Sequence, residues 1–410
     1  MQAAGRIDPP DWMRATDTGA VLAALTAEGA DVRFVGGCVR DAVLGRAGAD
    51  IDIATADPPD RVLTLLARAG LRAVPTGIAH GTVTAVGTDR HFEITTLRRD
   101  VENFGRRARV AFTDDWIGDA ARRDFTMNAL YADADGTLYD PTGGLADLEA
   151  GRVRFVGDPA VRIEEDRLRI LRFFRFHAYY GRGEPDAAGL AAAVAAAPSL
   201  ALLSGERIAA ELFKLLRADA APAVLRIMAS HGVLAHLLPA ATGFARLARL
   251  IAIERELGRP DPLRRLSALL PNDAAIADQI ADRLKLSNDE RGRLASMAAP
   301  ALMVAADMDG AARARALYRL GERQFVDLVL LAWAGGPMAD AARWRGHLAA
   351  AKNWVRPLLP VSGADVLALG LPPGPRVGAV LAAVEQWWEA GEFRAGRAEA
   401  LAKLREIANA

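Results

Sequence analysis

Cysteine is nearly absent: Cys38 is the single one in 410 residues. One thiol excludes an internal disulfide framework and any zinc site built on several thiolates. It agrees with a reducing, cytoplasmic compartment. Net charge is lacking as well, because 51 Lys and Arg balance 51 Asp and Glu. A chain of this balance does not grip nucleic acid by bulk charge. Lysine occurs only at 214, 285, 352 and 403, so Arg carries nearly all the positive charge. With the abundant Ala this reads as coding bias, and Arg richness alone does not argue for RNA binding. No run of about 18 uncharged apolar residues occurs, so no membrane span is expected. The stretch 188–203 comes nearest, but it is short and contains Pro198. The opening MQAAGRIDPPDWMRATD has no basic start followed by an apolar run, so no secretory signal is expected. The six histidines (80, 91, 177, 231, 236, 347) form no i,i+4 pair and no His-Asp dipeptide, which leaves a His-Asp phosphohydrolase unsupported.

What is present suits a folded chain. Hydrophobic residues make up 51% and charged residues 25%, enough for a core, and the length suggests two or three domains at roughly 150 residues each. The first 150 residues look mixed. Residues 31–35 and 51–54 are short strand candidates. Residues 38–44 and a stretch from Asp57-Pro58-Pro59 to about 69 are helix candidates, the latter with Asp57 as N-cap. Residues 82–86 and 91–95 alternate like a hairpin. The Arg-containing segment 98–121 shows no period and reads as a mobile loop. Residues 125–131 resume as helix and 136–140 as strand. Beyond about residue 160 the period is helical throughout, with breaks near 181–185, 198–199, 258–262, 272–273, 335–337 and 371–375. The expected class is α+β, an α/β head with a mixed β-sheet followed by an all-helical remainder.

Three constellations could carry chemistry. Gly36-Gly37-Cys38-Val39-Arg40-Asp41 stands between a strand and a helix, where glycines let the backbone approach an anion such as a phosphate. About a dozen residues later come Asp50 and Asp52, two apart on a strand and hence on one face. Two carboxylates that close repel unless a cation lies between them. Mg²⁺, hard and oxygen-seeking, is the natural one, and Glu93 could add a third ligand. Next, Arg122-Arg123-Asp124 precedes the expected helix that contains Asn128. Two arginines at a helix N-terminus oppose its dipole, so an anion is plausible there. Last, Glu165, Asp166 and Arg169 lie on one expected helix. Glu165 and Arg169 make an ordinary i,i+4 pair. Asp166 beside Arg169 offers an acceptor and donors to the edge of a base. Phe173, Phe176 and Tyr180 form an aromatic core stripe.

The ordered set Phe34-Val35-Gly36-Gly37-Cys38-Val39-Arg40-Asp41, Asp50-Ile51-Asp52-Ile53-Ala54-Thr55, Arg122 to Ala129, and Glu165-Asp166-x-x-Arg169 resembles the class II tRNA nucleotidyltransferase and bacterial poly(A) polymerase family. Asp140-Pro141-Thr142-Gly143-Gly144, Asp147-Leu148, residues 204–214 and the loop 370–378 are similar to further parts of that family. The resemblance is dense from about 33 to 215 and thin from about 216 to 360. It implies a catalytic head (1–150), a helical neck with a nucleotide-selecting helix (151–220), a body (221–290) and a tRNA-binding tail (291–410). The activity it implies is template-independent addition of CCA to tRNA 3′ ends from CTP and ATP, with release of pyrophosphate. The partner would be the tRNA acceptor arm and 3′ end, with no membrane involved. By this resemblance Asp50 and Asp52 hold Mg²⁺. Gly36, Gly37 and Arg40 face the triphosphate. Arg122, Arg123, Asp124 and Asn128 contact phosphate and ribose. Asp166 and Arg169, supported by Glu165, select the base. A poly(A) polymerase, or a partial CC- or A-adding enzyme, is the alternative. The chain ends without a basic tail, which disfavours the first, and the length of 98–121 disfavours a CC-adding form. A non-catalytic RNA-binding protein and a small-molecule nucleotidyltransferase are the rivals of other classes.

Overall fold

The structure, a computed structural model, describes residues 1–48, 50–104 and 107–409. The described strands are β1 (Ala3–Arg6), β2 (Val32–Val35), β3 (Ile51–Thr55), β4 (Arg72–Gly77), β5 (Thr82–Val86), β6 (His91–Thr96), β7 (Arg98–Phe104), β8 (Arg107–Phe112), β9 (Tyr131–Ala132) and β10 (Thr137–Tyr139). Eight of them form one sheet in the order β1-β10-β9-β2-β3-β6-β5-β4. Its pairings are antiparallel except β3 with β6. The expected mixed sheet is therefore present.

Alternation explains which side chains reach which face. Ile51 and Ile53 are buried while Asp52 between them is only partly so, and Phe92 and Ile94 are buried while Glu93 is exposed. Because β3 and β6 pair with Asp52 opposite Glu93, the period of two puts both carboxylates on the face away from those buried side chains. The Pro59–Arg68 helix packs on β4, β5 and β6 through buried Val62, Leu65 and Leu66. Its N-cap is Pro58 rather than Asp57.

The segment 98–121 is not a plain loop. β7 and β8 pair as a separate antiparallel ribbon, and Trp116–Ala121 is a helix capped by Asp115. Residues 105 and 106 of that segment lie outside the described residues. The helix expected at 125–131 is also absent. A short 3₁₀ turn, Thr126–Asn128, leads into β9. Phe125 instead bridges to Phe155 as an isolated β-pair, and its ring packs 4.8 Å from Phe155 and 5.0 Å from Phe176. Aromatic packing of the segment outweighs its helical pattern. Phe173, Phe176 and Tyr180 do form the expected stripe on the Arg169–Tyr180 helix, with Phe176 and Tyr180 stacked at 5.7 Å.

The chain parts into two compact units, Met1–Pro239 and Ala240–Ala410. The division falls inside the segment 221–290, expected to be the body. The second unit is helical, as expected. Trp333, Trp344 and Trp388 are buried in it, and its last helices close over Val366, Val380, Val384 and Leu404. Its Gly310–Gly335 helix is interrupted at Gly321, whose φ of 74° only glycine adopts readily. No helix among the described residues is long and apolar enough to cross a membrane.

Candidate nucleotidyl-transfer site

β2 ends at Val35, and at Gly36 the chain turns sharply (φ 76°, ψ −125°) into the Gly37–Val43 helix. A Cβ at Gly36 would stand 3.3 Å from Arg123 Nη1 and 3.9 Å from Asp52 Oδ2. The dihedral angle calls for glycine, and a Cβ there would press on the Arg123 guanidinium. The Gly36 N–H donates to Leu130 O (3.0 Å). The turn therefore brings a guanidinium and a carboxylate together rather than offering that amide to a ligand.

Asp52 is crowded by negative charge. Burial, then Glu93, then Asp50 push its carboxyl up to about 6, against the opposing pull of Arg123 and Arg40. Among the described residues no three His, Cys, Asp or Glu side chains gather as a metal cage. The expected third ligand, Glu93, sits beside Asp52 without completing one. The donor set still fits a hard divalent cation. Mg²⁺ is commonly held by one or two carboxylates together with substrate phosphates, and unrelieved repulsion at Asp52 is what a cation would remove. Cys38, beside these groups, is inert: burial and then Asp52 push its thiol up to about 12.

Arg122 and Arg123 do not precede a helix N-terminus. Arg122 is the C-cap of the Trp116–Ala121 helix, where a helix dipole favours cations. The dipole argument for an anion therefore fails. What holds the pair is Asp119, only 1% exposed, a residue the sequence reading did not single out. Arg122 Nε donates to its Oδ1 at 2.8 Å with Nη2 in ion-pair contact at 2.7 Å, and Arg123 Nη2 donates to Oδ2 at 3.1 Å. An acid at i−3 and i−4 to two consecutive arginines is the signal that could have revealed it.

Asp124 and Arg40 face inward. Asp124 Oδ2 accepts from Arg172 Nε at 2.7 Å, and Oδ1 accepts from Asn128 Nδ2 and the Phe125 N–H. Burial opposes ionisation, but Arg172 and Asn128 hold the Asp124 carboxyl below its ordinary range. Arg40 donates from Nη1 to Asn128 Oδ1 (2.7 Å) and from Nε and Nη2 to Asp41, and it lies 4.2 Å from the centre of the Tyr180 ring. Both side chains tie the head to the Arg169–Tyr180 helix.

Glu165, Asp166 and Arg169 do not share one helix. Pro159–Glu165 ends at Asp166, whose backbone is extended (φ −150°, ψ 106°), and a new helix begins at Arg169. The pairing of Glu165 Oε2 with Arg169 Nη1 (2.5 Å) survives across this break. Arg169 Nη2 also donates to Arg122 O at 3.4 Å, which puts it against the arginine pair. Asp166 accepts from Arg207 Nη2 with both oxygens, at 3.0 and 2.8 Å. Arg207, inside the 204–214 segment, is the second partner that the sequence reading did not single out.

A glycine turn that seats an arginine beside carboxylates of a mixed sheet defines a nucleotidyl-transferring head. In agreement, the family model described as "Poly A polymerase head domain" matches residues 32–154, and one described as "Probable RNA and SrmB- binding site of polymerase A" matches 186–244. The chain is 34% identical over 386 residues to "CCA tRNA nucleotidyltransferase 1, mitochondrial" of Danio rerio, covering 91% of this chain and 87% of that protein. It is 32% identical over 372 residues to the "CCA-adding enzyme" of Levilactobacillus brevis, covering 89% and 91%. The crystal structure of the Bacillus stearothermophilus CCA-adding enzyme in complex with CTP superposes with a TM-score of 0.73 at 28% identity, over 92% of this chain and 93% of that one. The chain belongs to the CCA-adding tRNA nucleotidyltransferase family, whose members depend on a divalent metal.

Proposed function

We propose that this protein builds the CCA end of tRNA from CTP and ATP without a nucleic-acid template. The observation that carries the reading is the likeness to CCA-adding relatives over about nine-tenths of the chain. The local geometry supports it, with Asp52, Glu93, Arg123 and Gly36 converging on one face.

The tRNA 3′-hydroxyl attacks the α-phosphorus of the incoming nucleotide. A bond from the 3′-oxygen to that phosphorus forms, the bond to the oxygen bridging the β-phosphate breaks, and pyrophosphate leaves. Asp50 and Asp52 are the residues that would hold Mg²⁺, which when bound supplies a lowered hydroxyl pKa and charge neutralisation on the leaving group. Arg122 and Arg123 bind the triphosphate and orient it towards β3. Arg169, fixed by Glu165, and Asp166, fixed by Arg207, present donors and acceptors to the base edge. These two side chains stand in for a template. The finer division into head, neck, body and tail at 150, 220 and 290 belongs to this reading, as does a reducing cytoplasm for the lone buried thiol. The retained length of 98–121 supports complete CCA addition over CC addition.

The test is purified protein with tRNA lacking its 3′ end and each nucleoside triphosphate, singly and in pairs, with products sized by gel. Three added residues with CTP and ATP together support the reading. Growth of long A tracts from ATP alone would assign poly(A) synthesis, and two added residues at most would assign a partial adder.

A further inference from the structure

Asp119 is absent from every motif singled out above, yet it has more partners than any catalytic candidate. It lies at the end of a short helix, buried, between β7 and β9. Arg122 and Arg123 donate to it from its own helix end, Tyr131 OH from β9 at 2.9 Å, and the Arg98 N–H from β7 at 3.4 Å. Trp116, on the same helix, packs edge-on against the Tyr131 ring at 5.4 Å, which holds the phenol in place.

The stoichiometry matters. One carboxylate holds two guanidiniums, so the group keeps a net positive charge while losing its freedom. Two adjacent arginines without a shared anion repel each other and swing to solvent. With Asp119 in place, Arg123 Nη1 is pinned 3.3 Å from where a Gly36 side chain would begin, on the side of Asp52. Arg123 Nη1 also donates to Asn128 O at 3.4 Å, and its buried Nε has no hydrogen-bond partner among the described residues, so the guanidinium is fixed in place from two sides. Burial opposes ionisation of Asp119, but Arg123 and Arg122, with the Arg122 and Tyr131 hydrogen bonds, hold its carboxyl below the ordinary range. It is therefore a fixed anion at neutral pH.

We propose that Asp119 is a positioning residue for nucleotide binding: it holds the Arg122–Arg123 pair in the arrangement that receives the triphosphate, and it does so through both arginines at once. The inference rests on the reading that this site takes nucleoside triphosphates. Asp119 touches no substrate and selects no base. Its loss weakens CTP and ATP alike, and it acts on binding more than on the bond-making step, because the arginines engage the triphosphate in the ground state as well.

The experiment uses the full chain. Asp119→Asn keeps the volume and removes the charge. KM and the equilibrium Kd for both CTP and ATP should rise roughly tenfold, the loss expected for one charge-assisted hydrogen-bond cluster. The kcat should fall less, the CTP to ATP preference should stay, and Asp119→Glu should recover part of the loss. A merely structural carboxylate would lower Tm and leave KM and Kd at wild-type values, and that result overturns the proposal. Where Asp119→Asn does not fold, Tyr131→Phe removes one donor and keeps the charge. Its nucleotide KM should rise about two- to threefold, and a wild-type KM there also overturns the proposal. A wild-type protein that incorporates neither nucleotide would sink the functional reading itself, not the clamp.

Discussion

At the scale of single residues the site is a set of charges held against their own preference. Asp52 is the clearest. Its carboxyl is pushed up to about 6 by burial, Glu93 and Asp50, so its ionised form works against folding. A group raised in the folded state stabilises below its unfolded pKa and loses that contribution as pH rises through the folded value. At pH 7 without a divalent cation, Asp52 is therefore a cost. Asp52→Asn should abolish incorporation, with a drop on the order of a thousandfold, while its metal-free Tm at pH 7 equals or exceeds that of the wild type. A folded variant with near-normal turnover would remove the metal-holding role. A large fall in Tm would show that the charge is compensated by groups other than those named. Gly36 is sensitive for a different reason. Any side chain there meets both a positive φ and Arg123 Nη1.

At the scale of elements, the Arg169–Tyr180 helix is coupled to the head by side chains that the sequence motifs place but do not orient. Arg172 binds Asp124 from that helix, and Arg175 binds the buried Glu211 at 2.6 Å. Arg172→Met should lower stability by about 2 kcal/mol, because it strands a buried carboxylate. The sign of its pH dependence follows from Asp124, whose folded pKa lies below the ordinary 3.8. The clamp contributes fully above that value and is lost as pH falls through the folded one. The difference in Tm between wild type and Arg172→Met should therefore shrink in acid. The proposed role of Arg169 is in specificity instead. Arg169→Ala should blur the CTP/ATP choice more than it slows addition, read in a competition assay, and unchanged selectivity would sink its base-reading role.

The same elements show what a sequence carries. β2, β3 and the β5–β6 hairpin were legible because their alternation is local and strict. The pairing of Asp52 with Glu93 was not, since it depends on a parallel register between strands about forty residues apart. The helix expected at 125–131 failed because Phe125 is drawn into an aromatic cluster, and tertiary packing overrides a local period. The continuous helix through 165–169 failed at Asp166, where the extended backbone lets Arg207 bind both carboxylate oxygens. Asp119 and Arg207 went unread for one physical reason. Each holds another side chain and stands outside the chemical motifs; only the i,i+3 and i,i+4 spacing of Asp119 to the two arginines left a trace in the sequence.

At the scale of the whole molecule, every residue proposed for a catalytic, nucleotide-binding or positioning role, from Gly36 to Arg207, lies within the unit Met1–Pro239, which has its own sheet, aromatic core and helices. The Ala240–Ala410 unit has a separate helical core and contributes none of them. Nucleotide binding and tRNA binding should therefore come apart on truncation. A fragment ending at Pro239 should fold with a cooperative transition and bind CTP and ATP with Kd within about threefold of the full chain, since none of the proposed phosphate- or base-facing groups is removed. Its KM for tRNA should rise by at least about tenfold as the contacts of the second unit are lost. Calorimetry on the fragment and single-turnover addition to tRNA lacking its 3′ end read the two quantities separately. A fragment that folds but no longer binds nucleotide would show that the second unit completes the site. One that adds nucleotides to tRNA with an unchanged KM would show that the neck alone carries the RNA.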